Sequence, residues 1–394
     1  PYQMTIETIL SKLISFPILG GESNLSIINW IKSYIESFGI ACVLVPNEEG
    51  NKASLHCRIG PSINGGLILS GHTDVVPIEG QDWKTNPFSL IDKGDGKLYG
   101  RGSCDMKGFI ACCLSILPQL AKSDLKKPIY FAFSYDEEIG CLAAPELIAN
   151  LLNYYPETPK YAIIGEPTLL QPIIGHKGIC LYTTKVNGSA GHSSGIRKEV
   201  SAIHECARLI LWLEEKMNAL VDSGSIDNRF TPPHSSLHTG IIHGGIAPNV
   251  IADKAYFSWD ARVIPKDNLS EILAAFKNHC NNRIEELKPI FADFKIETEE
   301  IHPPVTSFLT KEDDDIVKLI LNINTNKNIG TVSYASEAGQ FNEAGLQSIV
   351  CGPGSIDQAH RANEYVSKEE LTKYIQMLNN LIAFFSSPTI LEEF

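Results

Sequence analysis

Four apolar runs, each ending on an acid, a histidine or a glycine turn, constrain this chain more than any bulk property does. Leu67-Ile68-Leu69-Ser70-Gly71 runs into His72-Thr73-Asp74. Pro128 through Tyr135 runs into Asp136-Glu137-Glu138, and Tyr161-Ala162-Ile163-Ile164-Gly165 runs into Glu166. Leu346 through Cys351 is followed by Gly352-Pro353-Gly354 and then by His360. Short continuous apolar runs bounded by turn signals predict strands buried on both faces. Strand and helix patterns alternate to about residue 170, which predicts a layered α/β domain. In open α/β sheets, ligands bind beyond the carboxyl ends of the strands. Four strands that each finish near a potential metal ligand therefore predict one shared metal site.

The 394 residues exceed what one hydrophobic core usually holds, so two domains are expected. Residues 5–16 and 25–39 carry helical spacing, and Asp105 stands just before a helical run from Met106, where its first reading is an N-cap. From residue 174 the pattern changes. A partly alternating strand, Gly178 to Val186, precedes an amphipathic helix over 199–221, strands at 236–242 and 254–262, and a helix over 269–287. This predicts an α+β domain, 174–290, inserted into an α/β domain made of 1–173 and 291–394, with a last helix at 367–385. Internal repeats and low-complexity tracts are absent from the sequence.

The formal net charge of -13 argues against nucleic acid or an anionic membrane as partner and leaves room for a cationic substrate or a metal ion. No apolar stretch approaches the ~20 residues of a membrane helix. Pro1 to Leu13 lacks the charged and apolar regions of a signal peptide, so a cytoplasmic location is expected; the absence of an initial Met fits a trimmed upstream segment. Ten scattered cysteines without a C-x-x-C pair fit reduced buried thiols. Three glycosylation sequons, at Asn24, Asn187 and Asn268, are chance matches in that setting.

Hydrolysing an unactivated amide at neutral pH needs a stronger nucleophile than water and a stabilised oxyanion. Two divalent ions ~3.5–4 Å apart supply both. Oxygen and imidazole ligands suit such a pair, and the candidates are His72, Asp105, Glu138, Glu166 and His360. His72 and Asp74 lie two apart on an extended segment and share a side, so the Asp74 carboxylate is placed to accept from the free imidazole nitrogen. Glu137 and Glu138 are adjacent and point differently, so one can bind metal while the other serves as a general base. Taken singly, Asp105 is a helix cap, Glu137-Glu138 a solvated turn and His360 a surface histidine. Their convergence at strand ends favours a site.

Ser70-Gly71-His72-Thr73-Asp74-Val75-Val76-Pro77, Gly100-Arg101-Gly102-Ser103-Cys104-Asp105-Met106-Lys107-Gly108, Asp136-Glu137-Glu138-Ile139-Gly140 and Gly165-Glu166-Pro167-Thr168 resemble signatures of the M20 metallopeptidase family. The resemblance implies a three-layer, zinc-peptidase-like catalytic domain with two zinc ions, replaceable by cobalt, and an inserted dimerisation or lid domain that makes a homodimer. It implies that His72 and Glu166 hold one ion, Glu138 and His360 the other, and that Asp105 bridges them. Glu137 would take a proton from the attacking water and pass it to the leaving amine. His192 matches the histidine that reaches the partner subunit's site to stabilise the oxyanion. Asn249 and Arg262 fit positions for the substrate's α-carboxylate, although a salt bridge with Asp260 is nearly as good an account of Arg262. Ser336 to Phe341 and Cys351 to His360 resemble the subgroup that deacetylates N2-acetyl-L-ornithine, a step of arginine synthesis. Glu337, in that segment, is the candidate for the substrate's distal ammonium or for a supporting place near the metals.

Other readings fare worse. Gly191-His192-Ser193-Ser194-Gly195 matches the nucleophile elbow of serine hydrolases but lies in the inserted domain with a polar loop after it. His204-Glu205 starts a zincin motif that fails at Arg208, and no glycine-rich stretch has a nucleotide-binding ending. A catalytically silent scaffold would normally lack the base, and Glu137 is present. Succinyl-diaminopimelate desuccinylases, other N-acyl-amino-acid deacylases and dipeptidases of the same family would share metals and base.

Overall fold

The computed structural model describes residues 3–390. It divides into two compact units. The first comprises the chain up to Gly175, Leu309–Thr331 and the chain from Ser336, and the second comprises His176–Phe308 with Val332–Ala335.

The first unit is built on a nine-stranded sheet. The four apolar runs are its adjacent central strands, in the order Ile129–Ser134, Leu67–His72, Tyr161–Ile164, Gln347–Val350, all parallel. Their register aligns the carboxyl ends, because His72 pairs with Ser134, Ser70 with Ile164, and Ile164 with Val350. Ala53–Ile59 and Cys42–Pro46 extend one side antiparallel. Every residue of Leu67–His72 and Ile129–Ser134 is buried, which requires a layer on each face. Leu67, Leu69, Phe131 and Phe133 share one core with the helices Ile6–Ile14, Leu25–Glu36, Lys107–Ser115, Asp315–Ile323 and Lys368–Phe385. Ala144–Tyr154 and Ala338–Glu343 pack on the sheet from the other face. The three-layer α/β expectation holds. Each fully buried Leu or Phe contributes about 1.5–3 kcal/mol, so the sheet centre stays apolar and charge is confined to strand ends.

The second unit holds a four-stranded antiparallel sheet in the order Ser236–Gly244, Lys254–Val263, Gly178–Asn187, Lys295–Val305. Burial alternates along Gly178–Asn187 and Lys254–Val263, so one face is covered. Ala202–Asp222 and Leu269–Leu287 cover it through Cys206, Leu209, Leu213, Ile272 and Phe276. The expected boundary at 290 needs correction. Lys295–Val305 pairs with Gly178–Asn187, so the inserted unit runs to Phe308. This strand sits at an edge and is mostly exposed, with Glu297, Glu299 and Glu300 facing water, so no apolar alternation marks it in the sequence. Among the described residues, no helix is long and apolar enough to cross a membrane.

Candidate metal centre

The parallel register delivers the acids and histidines to one place. His72 closes its strand and is 1% exposed. Its Nδ1 lies 2.9 Å from the backbone carbonyl of Asp74, which can only accept, so Nδ1 carries the proton. Nε2 then faces Asp105 Oδ1 at 3.1 Å, with Glu137 Oε2 and Glu166 Oε1 each at 3.5 Å. A lone pair facing carboxylates is repelled unless a proton or a cation stands between them.

The expected partner, the Asp74 carboxylate, stands beside this carbonyl bond, with Oδ1 at 3.4 Å from Nδ1. The Asp74 carboxylate also accepts from the backbone N–H groups of Glu137 at 3.2 Å and Glu138 at 3.1 Å. It grips the turn that presents both glutamates. Asp136, at φ +55°, anchors the start of that turn through Lys52 at 2.5 Å and the N–H of Gly21 at 2.8 Å.

Asp105 does not cap the helix. Lys107–Ser115 begins without a side-chain cap, and the Asp105 carboxylate points to the two histidines. Oδ1 faces His72 Nε2 at 3.1 Å and Oδ2 faces His360 Nε2 at 3.2 Å. His360 also meets Glu138 Oε2 at 3.0 Å. Its backbone is left-handed at φ +62°, a conformation that costs a residue with a side chain about 1 kcal/mol or more. Glu166 follows Gly165, where a Cβ would stand 2.0 Å from the Phe109 ring, so only glycine lets the helix press against this strand end.

Three overlapping groups thus have ligand atoms within 4.8 Å of one another: His72, Asp105 and Glu166; Asp105, Glu138 and His360; His72, Glu137 and Glu138. Burial, Glu138 and Asp105 push Glu137 well above the usual carboxylate range, although His72 pulls the other way. Burial and the charges of Asp105 and Glu137 do the same to Glu166, and burial with Asp105 raises Glu138 to about 7. Burial would lower His72, but Glu137 and Glu166 outweigh it and hold it well above its ordinary value. Hydrogen bonds to Asp105 and Glu138 raise His360 to about 10. Burial works to raise Asp105, and the bonds from His360 and His72 overcome it and hold the carboxyl low. Glu138 Oε1 and Glu166 Oε1 are buried without a hydrogen-bond partner. Orphaned buried carboxylate oxygens in a cluster with surplus negative charge fit divalent cations, with oxygen and imidazole donors suited to zinc or cobalt.

Glu337 is also buried in this unit, accepts from Ser134 Oγ at 2.6 Å, and is raised by burial to about 7. His192, Asn249 and Arg262 belong to the second unit. There Gly191–His192 pairs with Val250–Ile251, and Ser193 N donates to Asn249 O at 3.1 Å, so His192 and Asn249 are neighbours. Arg262 Nε stands 3.5 Å from Asp260 Oδ2, the salt bridge anticipated as its structural role. The serine-elbow reading fails because a two-residue strand precedes Ser193 and a 3-10 turn follows it. Sequence reasoning passed over Glu364, a buried acid whose partners are the backbone N–H groups around Asp105. No local spacing announces such a role.

The family model described as peptidase family M20/M25/M40 matches residues 68–383. A protein named acetylornithine deacetylase from Aliivibrio fischeri is 32% identical over 381 residues, covering 97% of this chain and 96% of its own. The crystal structure of a tripeptidase from Staphylococcus aureus superposes with a TM-score of 0.74 at 19% identity, over 98% of this chain and 99% of the other. A Bacillus subtilis protein described as a dinuclear metal-binding peptidase of the M20 family gives a TM-score of 0.62 at 15% identity, over 96% and 97% of the two chains.

Proposed function

This chain belongs to peptidase family M20/M25/M40, and from that premise we propose that it is a metal-dependent amidohydrolase that removes the acetyl group of N2-acetyl-L-ornithine, giving ornithine and acetate. The observation that carries the reading is Asp105, with one oxygen toward each histidine and an orphaned glutamate oxygen in each flanking group. His72 and Glu166 would hold one ion, Glu138 and His360 the other, and Asp105 both. A pair of divalent ions, most simply zinc with cobalt able to substitute, supplies Lewis acidity and makes a water molecule acidic enough to attack at neutral pH.

The rest is the chain's own work. Glu137 is left over from both ligand pairs, is buried, and has a carboxyl held well above its usual range. Such a group takes a proton from the attacking water and returns it to the leaving amine. Asp74 holds that glutamate's backbone in place and fixes the tautomer of His72 through its carbonyl. In this reading His192, from the partner subunit of a homodimer, stabilises the oxyanion. Asn249 and Arg262 take the α-carboxylate, for which a guanidinium offers two parallel donors. Burial of Glu337 beside Ser134 favours a supporting place under the centre over direct contact with the substrate's ammonium. The inserted unit would serve as dimerisation and lid domain, and the enzyme would act in cytoplasmic arginine synthesis.

Amine release from N2-acetyl-L-ornithine by metal-stripped protein, before and after zinc or cobalt is added, tests the reading, with succinyl-diaminopimelate run alongside. We expect turnover only after metal addition, and far more with the acetyl substrate. Preference for the succinyl compound would move the chain to a neighbouring activity. Turnover unchanged by stripping would remove the metal mechanism.

A further inference from the structure

Asp105 and His360 come from two loops far apart in sequence, and a buried charge pair ties these loops together. Arg101 and Glu364 are each 1% exposed and meet at 3.0 Å. Glu364 Oε1 accepts from the N–H groups of Cys104 at 3.1 Å and Asp105 at 2.9 Å. Its Oε2 accepts from Gly102 N at 2.8 Å and Arg101 Nη1. Arg101 reaches the second loop and a third, after Leu67–His72: Nη1 donates to the Arg361 carbonyl at 3.1 Å, and Nη2 to the Pro77 carbonyl at 3.2 Å and to Gln81 Oε1. Gln81 Nε2 then donates to the carbonyl of His360 at 2.8 Å. The N–H of one proposed ligand and the C=O of another therefore hang on one network, buried at Arg101 and Glu364 and partly exposed at Gln81.

A buried ion pair is weak evidence for stability, since desolvation offsets much of its attraction, and fixing a geometry is the use that repays it. His72 and Glu166 reach the centre on other strands. His72 is fixed by Asp74, and Glu166 by the strand that Gly165 seats on Phe109. The network consequently bears most on the ion whose ligands include His360, a residue that is more than half exposed in its side chain and has little else to hold it. We propose that Arg101, Glu364 and Gln81 form a positioning latch that fixes His360 against Asp105 and sets the affinity for the ion held by Asp105, Glu138 and His360. The proposal rests on the dinuclear reading above.

Stepwise cobalt titration of the metal-free full chain, followed by visible absorption and calorimetry, tests it. In Glu364→Gln the step of the ion that takes His360 should weaken about 10–100-fold, the usual effect of losing a group that orients a ligand, while the other, which shares Asp105 alone with the latch, weakens several-fold less. Glu364→Gln strands a buried guanidinium and can unfold the chain. Gln81→Ala strands no charge, and should weaken the same step about threefold to tenfold with an unchanged melting temperature. A general loosening would weaken both steps equally, and that result, or two unchanged steps in folded Gln81→Ala, overturns the latch. A wild-type chain that takes up no cobalt overturns the dinuclear reading itself and the latch with it. A wild-type chain with two steps whose Gln81→Ala variant keeps both overturns the latch alone.

Discussion

The two units treat charge in opposite ways. In the second, acids find basic partners at the surface or, for the buried Glu205, beneath it: Arg262 and His238 both approach Asp260, Arg283 and Arg208 approach Glu205, and Lys185 approaches Glu299. In the first, four carboxylates converge at buried strand ends with two histidines, and two of their oxygens have no hydrogen-bond partner. A fold optimised for stability alone avoids the second arrangement, because each buried carboxylate without a partner costs several kcal/mol. The difference marks the first unit's strand ends as the candidate site. The antiparallel sheet can vent charge through its open face, whereas the parallel sheet, covered on both sides, gathers it at one edge.

The sharpest way to break this contrast is Glu137→Gln. If the surplus of charge serves catalysis, turnover should fall about 10²–10⁴-fold while cobalt binding is retained, since Glu137 belongs to neither proposed ligand pair. Steady-state kinetics and metal content on one preparation check this. Unchanged turnover would make Glu137 one more structural acid.

Much of this contrast is legible in the sequence because of covering layers. Strands wrapped on both faces must be apolar throughout, so Leu67–His72 and Ile129–Ser134 announce themselves, and so do the polar residues that break them. Lys295–Val305 is unreadable for the converse reason: an exposed edge strand has no burial to impose a pattern. The ligand types are legible because few side chains hold divalent ions. Their supports are not. Asp105 looks like a cap because the sequence shows the helix after it but not the histidines across from it. Glu364 looks like nothing, because its partners lie around Asp105, some 260 positions away. Hydrogen bonds from side chains to distant backbone carry no local sequence mark.

A second, smaller effect sharpens the contrast through pH. Burial raises Glu337 to about 7 in the folded chain, above its unfolded value. A carboxyl raised in this way contributes stability that is complete below about pH 4.5 and is lost as pH rises through about 7. Metal-free Glu337→Gln should therefore match wild type at pH 4 and exceed it by about 2–3 kcal/mol above pH 7.5, measured by urea denaturation. Coincident curves would mean that the charge on Glu337 is already compensated at neutral pH.

The smallest effect on stability belongs to Arg262, and it separates structure from function in the second unit. The Arg262–Asp260 pair is long at 3.5 Å, with side chains 43% and 30% exposed. Exposed pairs of this kind contribute about 0–1 kcal/mol, so Arg262→Met should shift the melting temperature little. If Arg262 takes the substrate's α-carboxylate, the same change should raise KM for N2-acetyl-L-ornithine about tenfold or more with kcat nearly unchanged, the mark of binding lost equally from ground and transition states. Asp260→Asn is the control, because it removes the pair and leaves the guanidinium free for substrate. A rise in KM with Arg262→Met but not with Asp260→Asn assigns the residue to the substrate. Equal rises assign it to the pair, and the second unit then keeps its charges for its own surface.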